Sequence, residues 1–171
     1  MKMNQPNILL INVDDLGWTD LGFMGSTFYE TPTIDKLASE GTIFTNAYAA
    51  SANCAPSRAC MLTGLMPGRH GIYTVGSSER GDVKTRKLIP AKNNEILSEA
   101  LPTMATILGD LGYETGIVGK WHLHGKPQGF DYWNVLNDQG NYYNPEFIQE
   151  NDTSIVNGYA TDIITDMGID W

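Results

Sequence analysis

Hydrophobic and polar positions along the chain predict alternating strands and helices. Residues 7–13 form an almost entirely apolar run of strand length. Residues 32–41 place apolar side chains at helical spacing, with Thr31 as the expected N-cap and Gly41 as the expected stop. Residues 42–45 follow as a second predicted strand.

The same order of helix and strand recurs later in the chain. Residues 102–111 have apolar positions at helical spacing, Gly112 closes the segment, and residues 114–118 read as a strand. This alternation predicts an α/β fold with a mainly parallel sheet flanked by helices. Residues 76–95 are charged and favour a solvated loop, although such an insertion can also shape a substrate pocket. A last helix is predicted from four apolar positions, which are Tyr159, Ile163, Met167 and Trp171.

Composition excludes several classes of protein. The 171 residues carry 20 acidic and 11 basic side chains, a net charge of −9, so we expect no nucleic-acid partner and no binding to an anionic membrane. No apolar run approaches the roughly 20 residues of a membrane-spanning helix. The leader, residues 1–6, is too short and polar for a signal peptide. The sequence as printed therefore predicts a cytoplasmic protein, or a periplasmic or secreted one if a signal peptide was removed.

The strongest chemical signal lies in residues 54–64, which read Cys-Ala-Pro-Ser-Arg-Ala-Cys-Met-Leu-Thr-Gly. Pro56 is tolerated in the first turn of a helix, and the final Thr-Gly pair supplies a stop. Cys54 would then lie at a helix N-terminus, where backbone N–H groups and the helix dipole favour an anion. Arg58 adds a planar cation suited to sulfate or phosphate. The segment predicts a site for an oxyanion ester.

A structural role for the two cysteines is the alternative. A helix would separate Cys54 from Cys60 by about 9 Å of rise, and the Cα atoms of a disulfide lie within about 7 Å, so a local bridge is disfavoured. A buried structural thiol at Cys54 stays open as an interpretation. For Cys60 we expect a small buried residue.

Two further segments carry candidate chemistry. Asp14 and Asp15 follow the predicted strand of residues 7–13, and adjacent carboxylates at a strand end favour a hard cation such as calcium, although a solvated turn is an alternative. Lys120 and His122 follow the later predicted strand within Gly-Lys-Trp-His-Leu. Taken alone, they could be a surface lysine and a hydrogen-bonded loop histidine.

Together and in this order, the three segments resemble the formylglycine-dependent sulfatases of the alkaline-phosphatase-like superfamily. The Cys-x-Pro-x-Arg segment is similar to the family's maturation motif, and the Asp-Asp and Gly-Lys-Trp-His segments match the family as well. The resemblance implies an α/β sulfatase fold and a sulfuric ester hydrolase. It also implies that calcium is bound by three positions: Asp14, Asp15 and Cys54 after its modification.

The resemblance implies catalytic roles for four residues. A maturation enzyme would convert Cys54 to formylglycine, which attacks the sulfur of a sulfate monoester, and Arg58 would stabilise the charge on the sulfuryl oxygens. Lys120 would also bind the sulfate, and His122 would bind both substrate and the aldehyde-derived hydroxyl. His124 stands where the family usually has glycine, which leaves open the path of this loop and whether His124 lines the pocket.

The resemblance covers the N-terminal part of one sulfatase catalytic domain, so residues 1–171 are assigned to that part. The remaining metal ligands and the leaving-group acid would come from later sequence, and we therefore expect the chain on its own to be inactive. An aromatic and amide-rich stretch, residues 130–145, favours a sulfated sugar or another small sulfate ester as substrate, and it resembles sulfatases of the N-acetylglucosamine-6-sulfatase type. Such stretches are also common in packed loops.

Three other functions remain compatible with these residues. The first is a phosphonate or phosphodiester hydrolase of the same superfamily, which can share the Cys-x-Pro-x-Arg motif. The second is a non-catalytic glycan-binding fragment. The third is an interaction role in which a second polypeptide completes the domain.

Overall fold

The structure is a computed structural model that describes residues 5–150 and 152–171. The prediction drawn from the leader concerns residues 1–6, of which residues 1–4 lie outside the described residues. The chain divides into two compact units, Met1–Tyr48 and Ala49–Trp171. None of the helices within the described residues is both long and apolar enough to cross a membrane.

The first unit is organised around the helix α1, Pro32–Glu40. Thr31 is its N-cap and Gly41 ends it, as predicted, but the Thr31 hydroxyl serves the preceding turn. It accepts a hydrogen bond from the Gly22 N–H at 2.8 Å and donates one to Asp35 at 2.9 Å. The residues before α1, including the short 3₁₀ turn Gly22–Met24, are thereby fixed to the first turn of the helix.

The predicted strands at residues 7–13 and 42–45 are wrong, because neither segment is a strand in the structure. Apolar side chains of the first segment are exposed, with 84% of Leu9 and 71% of Ile11 accessible to solvent. A strand requires a neighbouring strand to complete its ladder of hydrogen bonds. The described part of the first unit contains no strand with which residues 7–13 could pair. The apolar pattern alone therefore does not produce a strand.

The second unit is an α/β arrangement of four helices and one four-stranded sheet within the described residues. The helices are α2 Cys54–Thr63, α3 Pro67–His70, α4 Met104–Asp110 and α5 Ala160–Asp170. The strands, in the spatial order β1-β2-β3-β4, are Gly116–Gly119, Tyr132–Leu136, Glu146–Gln149 and Asp152–Ile155. β1 and β2 pair in parallel, whereas β2–β3 and β3–β4 are antiparallel. The α/β class is confirmed, and the sheet is mixed.

Local sequence signals explain where the helices of the second unit begin and end. α2 stops at Gly64, which adopts a left-handed φ of 68° as the predicted Thr-Gly stop requires. α4 begins after Thr103, whose hydroxyl and that of Thr106 form a reciprocal capping box. α5 confirms the last predicted helix. Residues 76–95 contain no helix or strand, as expected for a loop.

The core of the second unit joins α2, β2 and the loop that follows β1. Its buried apolar members are Ala55, Ala59, Leu62, Ile72, Leu97, Trp121, Leu123, Trp133 and Val135. Each buried aliphatic side chain in such a core contributes about 1.5–3 kcal/mol from burial. Because α2 and the loop after β1 share these contacts, the two segments that carry candidate chemistry are packed into one core.

Candidate active site

Cys54 is the first residue of α2, so the prediction that it lies at a helix N-terminus is confirmed. Asn53 is the N-cap, and its Oδ1 accepts hydrogen bonds from the Cys54 N–H at 2.9 Å and from the Cys54 thiol at 3.4 Å. Cys54 is partly exposed, and both cysteines are free thiols, so no disulfide joins them. An accessible thiol at a helix N-terminus is placed where an anionic group is stabilised.

Arg58 links the cysteine segment to the segment that carries Lys120 and His122. It lies one turn along α2 from Cys54 and is only 8% exposed. Its Nη1 donates a hydrogen bond to the backbone carbonyl of Lys120. A buried guanidinium held by a carbonyl keeps a fixed orientation. Two of the predicted site residues, distant in sequence, are thus brought together.

Lys120 and His122 lie in the loop directly after β1, at the carboxyl end of that strand. The loop turns through left-handed residues, with φ values of 90° at Gly119, 59° at His122 and 48° at His124. Trp121 anchors it, because its side chain is buried and its indole N–H donates to the His124 carbonyl at 3.0 Å. The left-handed φ of His124 is a conformation that glycine adopts more readily than histidine.

His122 is a buried titratable side chain, 3% exposed. Its Nε2 lies 3.1 Å from Oδ1 of Asp138, but neither of its buried ring nitrogens, Nδ1 or Nε2, makes a hydrogen bond of regular geometry within the described residues. Burial, followed by the charge of Lys120, lowers the pKa of His122 below its ordinary value. Asp138 opposes this and raises the pKa, while Arg58 and His124 lower it further. The imidazole is therefore neutral near pH 7.

A loop after β2, residues 137–140, contacts the side chains of Lys120 and His122. Nζ of Lys120 donates to Oε1 of Gln139 at 2.8 Å, and Asp138 faces His122 as described. Sequence reasoning missed Asp138 and Gln139. The available signal was their position directly after a strand that runs parallel to β1, because the carboxyl ends of parallel strands meet at one edge of a sheet.

A cavity of about 480 Å³ lies beside this edge of the sheet. Polar and aromatic residues contribute to its lining, among them His122, His124, Trp133, Asp138 and Glu150. His124 lines this cavity. The volume is in the range of small-ligand pockets.

Cys60 is buried, as expected, at 6% exposure. Its Sγ lies 3.3 Å from Nε2 of His70, and Nδ1 of His70 accepts a hydrogen bond from the Ile72 N–H at 3.1 Å. An accepting Nδ1 carries no proton, so the proton of the neutral ring is on Nε2 and points to the sulfur. Burial raises the pKa of the Cys60 thiol and lowers that of His70. This second cysteine is a packing residue.

Asp14 and Asp15 belong to the first unit, where they lie in an exposed turn. Asp15 has a left-handed φ of 55°. The donor chemistry fits calcium, which takes carboxylate oxygens, but calcium needs about six to eight of them. The described residues contain no cluster of three or more side chains able to hold a metal ion. The pair therefore fits part of a calcium site.

The fold and these side chains define an α/β protein with a thiol-bearing helix N-terminus beside a cationic loop. The sulfatase family model matches residues 6–171, and the chain belongs to the sulfatase family. It is 36% identical to the N-acetylglucosamine-6-O-sulfatase of Bacteroides thetaiotaomicron, over 99% of this chain and 28% of that protein. It is 40% identical to the human N-acetylgalactosamine-6-sulfatase, over 75% of this chain and 25% of that protein.

Solved structures show the same relationship. A protein in complex with its substrate D-glucosamine-2-N,6-O-disulfate superposes with a TM-score of 0.73 at 35% identity, over 89% of this chain and 28% of that one. A complex with k-i-k-neocarrahexaose superposes with a TM-score of 0.74 at 26% identity, over 92% and 39%. The chain thus has the alkaline-phosphatase-like fold of these neighbours, and it spans about a quarter of the length of the curated relatives it matches.

Proposed function

We propose that the protein is a sulfatase that hydrolyses a sulfate monoester of an amino sugar through a formylglycine made from Cys54, with calcium bound. The observation that carries the proposal is the hydrogen bond from buried Arg58 to the Lys120 carbonyl. It joins the helix that presents Cys54 to the loop that presents Lys120 and His122. The helix whose N-terminus bears the partly exposed thiol is thereby attached to the loop that carries Lys120, and this supports a site for an oxyanion ester.

Each side chain has a role that follows from its charge. A formylglycine at residue 54 would supply a hydrated aldehyde, one hydroxyl of which would replace the sugar oxygen on sulfur as the sugar alcohol leaves. Loss of a proton from the second hydroxyl would restore the aldehyde and release sulfate. Arg58 and Lys120 provide fixed positive charge for the sulfuryl oxygens. His122 is neutral and can accept a hydrogen bond from a hydroxyl group through Nδ1.

Calcium would be held in part by Asp14, Asp15 and residue 54. It would supply further positive charge to the sulfuryl oxygens, beside that of Arg58 and Lys120. The remaining oxygen ligands would come from sequence that corresponds to the other three quarters of the relatives. For that reason we propose that the 171-residue chain on its own does not turn over substrate.

The relatives favour a sulfated amino sugar as the substrate, because both named enzymes act at the 6-position of an N-acetylhexosamine. Part of the aromatic stretch, residues 130–145, supports a sugar substrate. Phe130 packs edge-on against Trp121 and Trp133 is buried, so these rings belong to the core. Tyr142 and Tyr143 are exposed and can stack on a pyranose ring.

The proposal is tested with the full-length protein, coexpressed with a formylglycine-generating enzyme and assayed on an aryl sulfate. Cys54→Ser, in a host that modifies only cysteine, should abolish turnover because serine cannot provide the aldehyde. Cys60→Ala is the matched control and should remain active, since Cys60 is a packing residue. Full turnover by Cys54→Ser would refute the mechanism. Faster turnover of an aryl phosphonate than of the sulfate would instead favour a phosphonate hydrolase.

A further inference from the structure

We propose that the loop of residues 137–140 is a positioning element for the active site, in which Gln139 fixes the ammonium group of Lys120 and Asp138 fixes the imidazole of His122. The catalytic meaning of this inference rests on the proposed function. The contacts themselves are properties of the chain.

The topology of the sheet brings this loop to the two side chains. β1 and β2 are parallel, with Gly119 paired to Val135, so the loops after both strands leave the same edge. Gln139 Oε1 accepts from Lys120 Nζ at 2.8 Å, and Asp138 Oδ1 lies 3.1 Å from His122 Nε2. Asp138 and Gln139, which are adjacent in sequence, therefore contact His122 and Lys120 respectively.

The backbone of the loop is held in one conformation. Asp138 and Gly140 have left-handed φ values of 55° and 72°, which aspartate and glycine tolerate better than most residues. The Gly140 N–H donates to the Asn137 carbonyl at 3.0 Å, and the Asn137 N–H donates to the Glu146 carbonyl at 2.9 Å. The side chains of Asn137 and Glu146 are also hydrogen-bonded. These contacts attach the loop to β3 and limit its movement.

Asp138 also favours one tautomer of His122. Its Oδ1 lies 3.1 Å from Nε2, and although Nε2 makes no hydrogen bond of regular geometry within the described residues, a proton on Nε2 is favoured beside this negative charge. The other nitrogen, Nδ1, is then an acceptor, and it is buried without a partner among the described residues. The other charged groups that act on His122 are Lys120, Arg58 and His124, all of which lower its pKa.

The first test needs no activity and uses the 171-residue chain labelled with ¹⁵N-histidine. Wild type should show His122 protonated on Nε2. Asp138→Gly removes the carboxylate without backbone strain and should redistribute the proton between the two nitrogens. Asp138→Asn keeps the shape and should lower the pKa of His122, because the charge that raises it is lost. Asp166→Asn, an exposed change on α5, is the matched control. Wild-type ¹⁵N spectra for both Asp138 variants would overturn the inference.

The second test uses the full-length mature enzyme. Asp138→Asn should reduce kcat about tenfold or more with little change in KM. A misplaced His122 imidazole slows the chemical step and has little effect on substrate binding. Gln139→Ala should mainly raise KM, and Gln149→Ala on β3 is its control. Unchanged kcat and KM in both loop variants would also overturn the inference. Failure of wild type to hydrolyse any sulfate ester would overturn the proposed function, while the ¹⁵N spectra still decide whether the loop positions His122.

Discussion

The substitution His70→Asn tests how a buried histidine couples the stability of the second unit to pH. His70 is 2% exposed, and its Nδ1 accepts from the Ile72 N–H while its Nε2 faces Cys60. Asparagine preserves an acceptor for the Ile72 N–H but cannot titrate. The variant therefore removes the ionisable group and keeps one of its hydrogen bonds.

The sign and magnitude follow from proton linkage. Burial lowers the pKa of folded His70 below its ordinary value of 6.5, so the unfolded chain binds more protons than the folded chain as the pH falls. The stability associated with neutral His70 is complete above pH 6.5 and is lost as the pH falls below that value. One proton contributes a slope of at most about 1.4 kcal/mol per pH unit. His122, whose pKa is also lowered, contributes in the same direction and remains in the variant.

Urea unfolding followed by tryptophan fluorescence, at a series of pH values from neutral to mildly acidic, measures both effects. His70→Asn should lower the free energy of unfolding at neutral pH by about 1–3 kcal/mol through lost packing and hydrogen bonding. Below pH 6.5 it should lose stability less steeply than wild type, by up to about 1.4 kcal/mol per pH unit. Gln149→Ala, at an exposed position on β3, removes no ionisable group and should keep the wild-type dependence on pH. An unchanged slope in His70→Asn would show that the buried imidazole is not the titrating group.

Two further predictions concern the thiols and a close backbone contact. Iodoacetamide should modify Cys54 readily and Cys60 only on unfolding, because Cys60 is buried and burial raises its thiol pKa. Equal rates of modification of the two cysteines, measured by peptide mapping, would contradict the structure. Gly129→Ala should destabilise the second unit by about 2 kcal/mol or more in urea unfolding, because its φ is 83° and a Cβ would lie 2.5 Å from the Thr106 nitrogen. Gly112 has a φ of 87° but open space where a Cβ would lie. Gly112→Ala should therefore lower the free energy of unfolding by only about 1 kcal/mol. Similar losses in the two variants would rule out the contact as the cause.

Helices were predictable because their signals are local. The stop at Gly64 and the spacing of apolar residues in α5 depend on residues within a few turns, and both agree with the structure. Strands depend on partners distant in sequence. The apolar run of residues 7–13 therefore failed as a prediction, whereas residues 114–118 were close to the observed β1, which pairs with β2.

The candidate site also combines features that local sequence signals predict with features that depend on contacts between distant residues. The segments bearing Cys54 and Lys120 were recognisable from their residues, and the helix N-terminus at Cys54 followed from local rules. The contact between Arg58 and the Lys120 carbonyl depends on how α2 packs against the loop after β1, which no local pattern reports. Asp138 and Gln139 have no local signature at all. Only the parallel pairing of β1 with β2 brings them to the site.

The measurement that most directly tests the central claim is the mass of the peptide spanning residue 54, isolated after coexpression with a formylglycine-generating enzyme. We expect a peptide in which the sulfur of Cys54 has been lost and an aldehyde is present. An unmodified thiol at residue 54, with a control sulfatase peptide converted in the same cells, would contradict the claim that Cys54 is the precursor of the nucleophile.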